Sequence, residues 1–112
     1  MTVTVIAAAA LTIFTFTDRS AVEVTVHNLG PDVLEDVTVG TEQASYPVGD
    51  IRAGESAVVG IDVLGDSSLS VRHAGRPEWQ TTNSYLTRGF VGRMGVVLEN
   101  GELIGFTEDL NF

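Results

Sequence analysis

The sequence predicts an all-β domain, an antiparallel sandwich or barrel of about eight strands, placed after a hydrophobic N-terminal segment. Two patterns support the β domain. Short runs of alternating apolar and polar residues, separated by turn residues, recur about every 8–12 residues, and no long amphipathic helical pattern appears after residue 20. With 112 residues the chain can form one such domain and one short appendage.

The hydrophobic segment, residues 1–20, has no charged side chain before Asp18. As a helix, residues 1–17 would extend about 25 Å, slightly less than a bilayer core of about 30 Å. The alanine run at positions 7–10 favours a helix, because alanines make a poor turn between the flanking runs TVTV and LTIFTFT. We therefore expect a membrane-anchoring, transmembrane helix. Two alternatives stay open: the flanking runs are strands of the domain, or the segment is a secretion signal.

The domain itself, residues 21–112, begins with a strand in which Val22, Val24 and Val26 alternate with polar residues. The turn-forming sequence NLGPD ends this strand. Further strands are predicted in the runs VLEDVTVG, QASYPVGDI, ESAVVGIDVLG, SSLSVRH, EWQTTNSY, GRMGVVLE and ELIGFTED. Glycine, proline and small polar residues separate most of these runs, as expected for short antiparallel strands.

The sequence ENGE at residues 99–102 gives the most specific local prediction. Asn100 and Gly101 both tolerate the positive φ values that a two-residue type I′ turn requires. We therefore predict that residues 96–99 and 102–106 form a hairpin.

Three consecutive stretches, VEVTVHNLGPDVLEDVTVG, YPVGDIRAGESAVVGIDV and SSLSVRHAG, resemble the immunoglobulin-like β-sandwiches of bacterial surface and periplasmic proteins, such as CARDB-type adhesion modules. In that pattern a strand ends in Asn-x-Gly, here Asn28 to Gly30, and a glycine-bracketed corner precedes a long strand. We expect Ile51 to fill the core at that corner. The resemblance covers residues 22–75 and implies an immunoglobulin-like sandwich of seven or eight strands, but it implies no activity, since such sandwiches host many roles.

Composition excludes several classes of function. The net charge of −9 and pI near 4.3 argue against nucleic acid as a partner, because binding a phosphate backbone requires clustered Lys and Arg. The absence of cysteine excludes disulfides, thiol catalysis, cysteine-ligated zinc and iron–sulfur clusters.

No catalytic, cofactor-binding or metal-ligating residues are predicted, and we do not expect an enzyme. The two histidines, His27 and His73, are expected to be exposed or to cap strands, and the acidic loops lack calcium-loop spacing. The glycine series Gly89, Gly92 and Gly95 precedes a strand rather than a helix, so it predicts a turn or bulge and not a phosphate loop.

Residues 72–93 differ from the rest of the chain. They carry a net charge of +3 (four arginines, one acid), between stretches of −8 (residues 18–71) and −4 (residues 94–112). Aromatic and arginine side chains are enriched at protein interfaces. The candidate partner interface consists of Arg72, Arg76, Trp79, Tyr85, Arg88, Phe90 and Arg93. The alternative is that Trp79 and Tyr85 belong to the core and that the arginines only balance nearby acids.

Together these features predict a non-catalytic accessory subunit without a cofactor. Residues 1–20 would anchor it in a membrane, and the sandwich, on the periplasmic or extracytoplasmic side, would contact protein subunits of a larger membrane complex, of respiratory or photosynthetic type. The alternative is a secreted or cell-surface binding or adhesion module.

Overall fold

The computed structural model describes residues 22–111, and this part of the chain is built from strands without a helix. The predicted all-β class is therefore confirmed. The eight strands are β1 (Val22–Asn28), β2 (Leu34–Gly40), β3 (Ser45–Ile51), β4 (Ser56–Ile61), β5 (Ser70–His73), β6 (Arg76–Thr81), β7 (Val91–Glu99) and β8 (Glu102–Asn111).

The strands form two sheets of four. The first sheet has the order β4-β1-β7-β8, and the second has the order β3-β2-β5-β6. All neighbouring strands are antiparallel except β1 and β7, which run parallel over Val22–Asn28 and Gly92–Leu98. This pair departs from the antiparallel prediction. It arises because the chain passes between the two sheets before β7 returns beside β1, and such a long connection permits parallel pairing.

The core lies between the two sheets and takes apolar side chains from both. In β1, the alternation predicted from the sequence is confirmed, since Val22, Val24 and Val26 are fully buried. Ile51 is also buried, as expected at the corner before β4. The other buried apolar residues are Leu34, Val37, Val39, Ile61, Val63, Leu69, Val71, Leu86, Met94, Val96 and Leu98.

The turn after β1 is held by the side chain of Asn28, which is buried. Its amide nitrogen donates to the carbonyl oxygens of Asp32 (2.8 Å) and Ile51 (2.9 Å). Its amide oxygen accepts from the backbone N–H of Gly30 at 2.8 Å. The asparagine of the Asn-x-Gly sequence therefore satisfies three backbone groups that the end of the strand would otherwise leave unpaired.

The predicted hairpin is confirmed between β7 and β8. Glu99 pairs with Glu102, and the two loop residues Asn100 and Gly101 have φ values of 55° and 77°. The register shifts by one residue after the Leu98–Leu103 pair, so Ile104 is the extra residue of a bulge.

The predicted membrane anchor, residues 1–20, lies outside the described residues. Across residues 22–111, no helix is long and apolar enough to cross a membrane.

Candidate functional site

The seven predicted interface residues do not form one basic surface, because β6 and β7 belong to different sheets. Arg72, Arg76 and Trp79 lie on β5 and β6 of the second sheet, whereas Arg93 lies on β7 of the first. The remaining three, Tyr85, Arg88 and Phe90, lie in the connection between the sheets, residues 82–90.

Two of the arginines form ion pairs: Arg93 with Glu23 on the neighbouring strand β1, and Arg76 with Glu102 on β8 of the other sheet. Arg76 Nη1 lies 3.2 Å from Glu102 Oε2, and Arg93 Nε lies 3.8 Å from Glu23 Oε1. All four side chains are exposed, so each pair contributes about 0–1 kcal/mol to stability. For these two arginines the structure favours the alternative, in which they balance acids on the same domain.

Residues from two loops form what we call the loop cluster: Tyr85, Arg88 and Phe90 from the connection between β6 and β7, and Leu64, joined through its backbone carbonyl, from the loop between β4 and β5. The rings of Tyr85 and Phe90 meet edge to face, with centroids 6.2 Å apart and planes at 88°. Arg88 Nη2 donates to the carbonyl oxygen of Leu64 at 3.0 Å. The cluster therefore joins two loops that are distant in the sequence.

Tyr85 and Leu64 are exposed, at 58% and 48% relative exposure, as is Arg88, whereas Phe90 is half-buried. The alternative that Tyr85 belongs to the core is therefore wrong. Its hydroxyl donates to Asp66 Oδ1 at 3.3 Å, and the Thr87 hydroxyl donates to the same oxygen at 2.6 Å. A tyrosine held at its hydroxyl end presents its ring at low conformational cost, which suits a contact surface.

The support beneath the loop cluster is buried. Leu86, next to Tyr85, is fully buried, and it forms a two-bond backbone bridge with Ser67 (2.9 and 2.8 Å). The buried hydroxyl of Ser84 accepts from the backbone N–H of Leu69 at 3.1 Å. The exposed ring of Tyr85 therefore lies on a connection that is fixed to the core.

Trp79 forms a second exposed feature, on the outer face of the second sheet. It is 40% exposed, so the alternative that it belongs to the core is wrong for this residue too. The guanidinium carbon of Arg72 lies 4.3 Å from the centroid of the indole ring, within range of a cation–π contact. The tip of the ring lies over Gly40, where any Cβ atom would approach it to 2.8 Å.

His73 is buried rather than exposed, with 8% relative exposure. It follows Val71 on the core-facing side of β5, at the end of the strand. Its Nδ1 accepts from the N–H of Gly75 (3.2 Å), which leaves Nε2 to donate to the carbonyl oxygen of Gly101 (3.0 Å). The side chain therefore caps the β5–β6 turn, which agrees with the expectation that a histidine caps a strand. The other histidine, His27, contacts Ser56 Oγ through Nδ1 at 2.7 Å.

The acidic loops stay apart. Among residues 22–111, no three His, Asp or Glu side chains gather where they could hold a metal ion. In the glycine series, Gly89 lies in a turn and Gly92 near the start of β7, with φ values of 97° and 136°, and Gly95 lies in the middle of β7. A Cβ atom at Gly92 would overlap the carbonyl oxygen of Asp109 on β8, so glycine is needed there for close strand contact.

Comparisons with known proteins assign no family. No family model and no curated protein matches the chain. A solved structure titled "NMR structure of the protein from Eubacterium rectale" has 15% sequence identity, covers 76% of this chain and 85% of its own, and superposes with a TM-score of 0.48. A likeness this distant transfers neither a fold nor a role.

Two residues of these surfaces were not predicted from the sequence. They are Leu64, in the loop cluster, and Gly40, which lies under the tip of the Trp79 ring. Leu64 had a weak signal, since it is a large apolar residue in a turn between two aspartates. Gly40 had none, because only the pairing of β2 with β5 brings it near β6.

Proposed function

We propose that this protein is a non-catalytic accessory subunit whose sandwich binds a partner protein through the loop cluster. Residues 1–20 anchor it in a membrane and hold the domain on the extracytoplasmic side, beside the subunits of a larger complex. The observation that carries the proposal is the exposed Tyr85 ring, held against the half-buried Phe90 and beside the exposed Leu64 and Arg88, over a buried support.

The composition of the loop cluster is that of an interface anchor. Tyrosine and arginine are enriched among residues that dominate binding energy, and such residues act best when their conformation is set before binding. The hydrogen bonds of Tyr85 and Arg88 to the 64–66 loop provide that preorganisation. Electrostatics has a smaller part than the sequence suggests, since Arg76 and Arg93 have acidic neighbours.

The immunoglobulin-like character of the sandwich belongs to the same proposal. Two four-stranded sheets packed over one core, with connections that cross between them, are consistent with that architecture. The resemblance of residues 22–75 to bacterial surface and periplasmic modules supports the extracytoplasmic location. Domains of this architecture serve many binding roles, and the loop cluster gives this one a specific surface.

The alternative function, a secreted or cell-surface binding or adhesion module, is favoured by a different observation. The outer face of the second sheet carries Trp79 beside a groove lined by hydroxyl groups.

An extraction experiment distinguishes the two functions. Resistance of the protein to extraction by high-salt and carbonate washes is expected of the anchored subunit. Release by those washes is expected of the alternative.

The experiment that tests the proposal compares purification of the full chain in mild detergent with that of the double variant Leu64→Ser, Tyr85→Ser. We expect a partner that purifies at fixed stoichiometry with the unchanged protein to be lost from the variant, while its melting temperature stays within a few degrees. The matched control is Ile104→Ser, which removes an equally exposed apolar side chain (54%) from β8. Equal retention of the partner by both variants would contradict the proposal.

A further inference from the structure

A groove crosses the outer face of the second sheet beside Trp79, with a volume of about 380 Å³. Its walls come from β2, β5 and β6 and from the loops that precede β3 and β5. The residues that line it are Gly40, Thr41, Glu42, Ser68, Ser70, Trp79 and Thr81. The loop cluster contributes none of them, so this is a separate surface.

The indole of Trp79 forms the apolar wall of the groove. The guanidinium of Arg72 stacks on the indole ring, but Arg72 is not among the residues that line the groove. The part of the indole that borders the groove is therefore not covered by the guanidinium. Gly40 allows this arrangement, because a side chain there would push the tip of the ring away from the sheet. The ring is therefore braced at its tip by Gly40 and contacted by Arg72.

Hydroxyl groups form most of the remaining lining. Ser70 Oγ and Thr81 Oγ1 lie 2.9 Å apart across β5 and β6, and Ser68 Oγ donates to the carbonyl oxygen of Ser84 at 2.7 Å. Each hydroxyl has one donor and two acceptor positions, so these groups keep unused hydrogen-bonding capacity. The exposed carboxylate of Glu42 adds an acceptor that has no partner among residues 22–111.

The residues that line the groove indicate which class of ligand it would bind. A flat aromatic surface suits an apolar face, and a ring of hydroxyls with one carboxylate suits a ligand that carries many hydroxyl groups. The lining contains no Arg or Lys, so it offers no cation for a phosphate, sulfate or carboxylate group. A pyranose sugar has both required features, since its C–H face is apolar and its rim carries hydroxyls.

We propose that this groove binds a pyranose ring of a neutral saccharide, with the ring stacked on Trp79 and its hydroxyls bonded to Ser70, Thr81 and Glu42. The volume lies at the low end of the range for small-ligand sites, about 300–1,000 Å³, which fits one or two sugar rings. The site does not depend on the accessory role, because it uses a different surface from the loop cluster.

The test uses the tryptophan itself, since Trp79 is the only tryptophan in the chain. The full chain in mild detergent is titrated with four neutral trisaccharides (maltotriose, cellotriose, mannotriose and N,N′,N″-triacetylchitotriose) and with trigalacturonic acid as an anionic probe. We expect a saturable change in the emission of Trp79 with at least one neutral probe. A response to none of the neutral probes, or to the anionic probe alone, would overturn the proposal.

Variants then locate the binding. The double change Ser70→Ala, Thr81→Ala keeps the indole and is expected to weaken the response by about tenfold, as is Gly40→Ala, which displaces the ring. Tyr85→Ala, in the loop cluster, should leave the affinity unchanged, so loss of a protein partner and loss of sugar binding remain distinguishable. Unchanged affinity in both groove variants, with melting temperatures preserved, would also overturn the proposal.

Discussion

At the scale of the residue, the carbonyl oxygen of Gly101 links the two sheets by hydrogen bonds at one end of the sandwich. It accepts from His73 Nε2 at 3.0 Å and from Gln80 Nε2 at 2.9 Å, and both donors belong to the second sheet. Gly101 itself lies in the turn of the β7–β8 hairpin, which belongs to the first. Glycine is required at this position for two reasons. Its φ is positive, and a Cβ atom there would lie 3.0 Å from the His73 ring.

Replacing Gly101 with valine is therefore expected to destabilise the domain by about 2–4 kcal/mol, from backbone strain and overpacking against His73 together. Chemical denaturation followed by circular dichroism measures the change in the free energy of unfolding. The matched control is Gly105→Val in the same hairpin, where the added Cβ atom meets nothing within 4 Å. Equal destabilisation by the two substitutions would contradict the claim that the His73 contact and the positive φ make Gly101 necessary.

At the scale of the element, Gln80 contacts two backbone groups of the β7–β8 hairpin from the β5–β6 hairpin. Gln80 on β6 donates to the carbonyl oxygen of Gly101, and its Oε1 accepts from the backbone N–H of Leu103 at 2.8 Å. It thus satisfies two backbone groups at the base of β8, which is an edge strand. Arg76 also reaches β8, but only through an exposed ion pair with Glu102.

We expect Gln80→Ala to lower stability by about 1–3 kcal/mol, because it removes the acceptor of the Leu103 N–H and one of the two donors to the carbonyl oxygen of Gly101. Arg76→Ser should cost about 0–1 kcal/mol, since its ion pair is exposed. Amide hydrogen exchange provides a local measurement, in which the Leu103 amide loses protection in Gln80→Ala and keeps it in Arg76→Ser. The reverse order of the two variants would contradict this assignment of the contacts.

Strict alternation predicted β1, and the Asn100-Gly101 turn predicted the β7–β8 hairpin. The run EWQTTNSY illustrates the limit, because β6 ends at Thr81 and residues 82–85 form a connection instead. There the hydroxyl of Thr82 donates to the carbonyl oxygen of Leu69, and Ser84 accepts from the N–H of the same residue. Side chains that bond to backbone in this way compete with strand pairing, and local sequence does not reveal their partners.

At the scale of the whole molecule, the path of the chain decides which predicted site residues meet. Residues 72–93 are continuous in sequence but pass from the second sheet to the first, which separates Arg72 and Trp79 from Arg93. The composition of the segment left open whether its aromatic residues are exposed; Trp79 and Tyr85 are exposed, and Phe90 is half-buried. Composition could not indicate the division into a loop cluster and a groove, since both depend on residues from distant parts of the chain, such as Leu64 and Gly40.

A chain lacking residues 1–20 is predicted to fold as a soluble β domain. Residues 22–111 already supply both sheets and a core of fully buried side chains, so the domain's main source of stability remains. Circular dichroism of the truncated protein should give a β spectrum and a cooperative thermal transition. An unfolded or aggregated product would instead favour the alternative in which TVTV and LTIFTFT supply strands.

The most direct test of the central claim, that the loop cluster binds a partner protein, is site-specific photo-crosslinking in the intact membrane. A photoreactive phenylalanine analogue replaces Tyr85 in one version of the full chain and Ile104 in another, both exposed positions. We expect a crosslink from position 85, and not from position 104, to the same protein that purifies with the unchanged chain at fixed stoichiometry. No crosslink from position 85, or equal crosslinking from both positions, would contradict it.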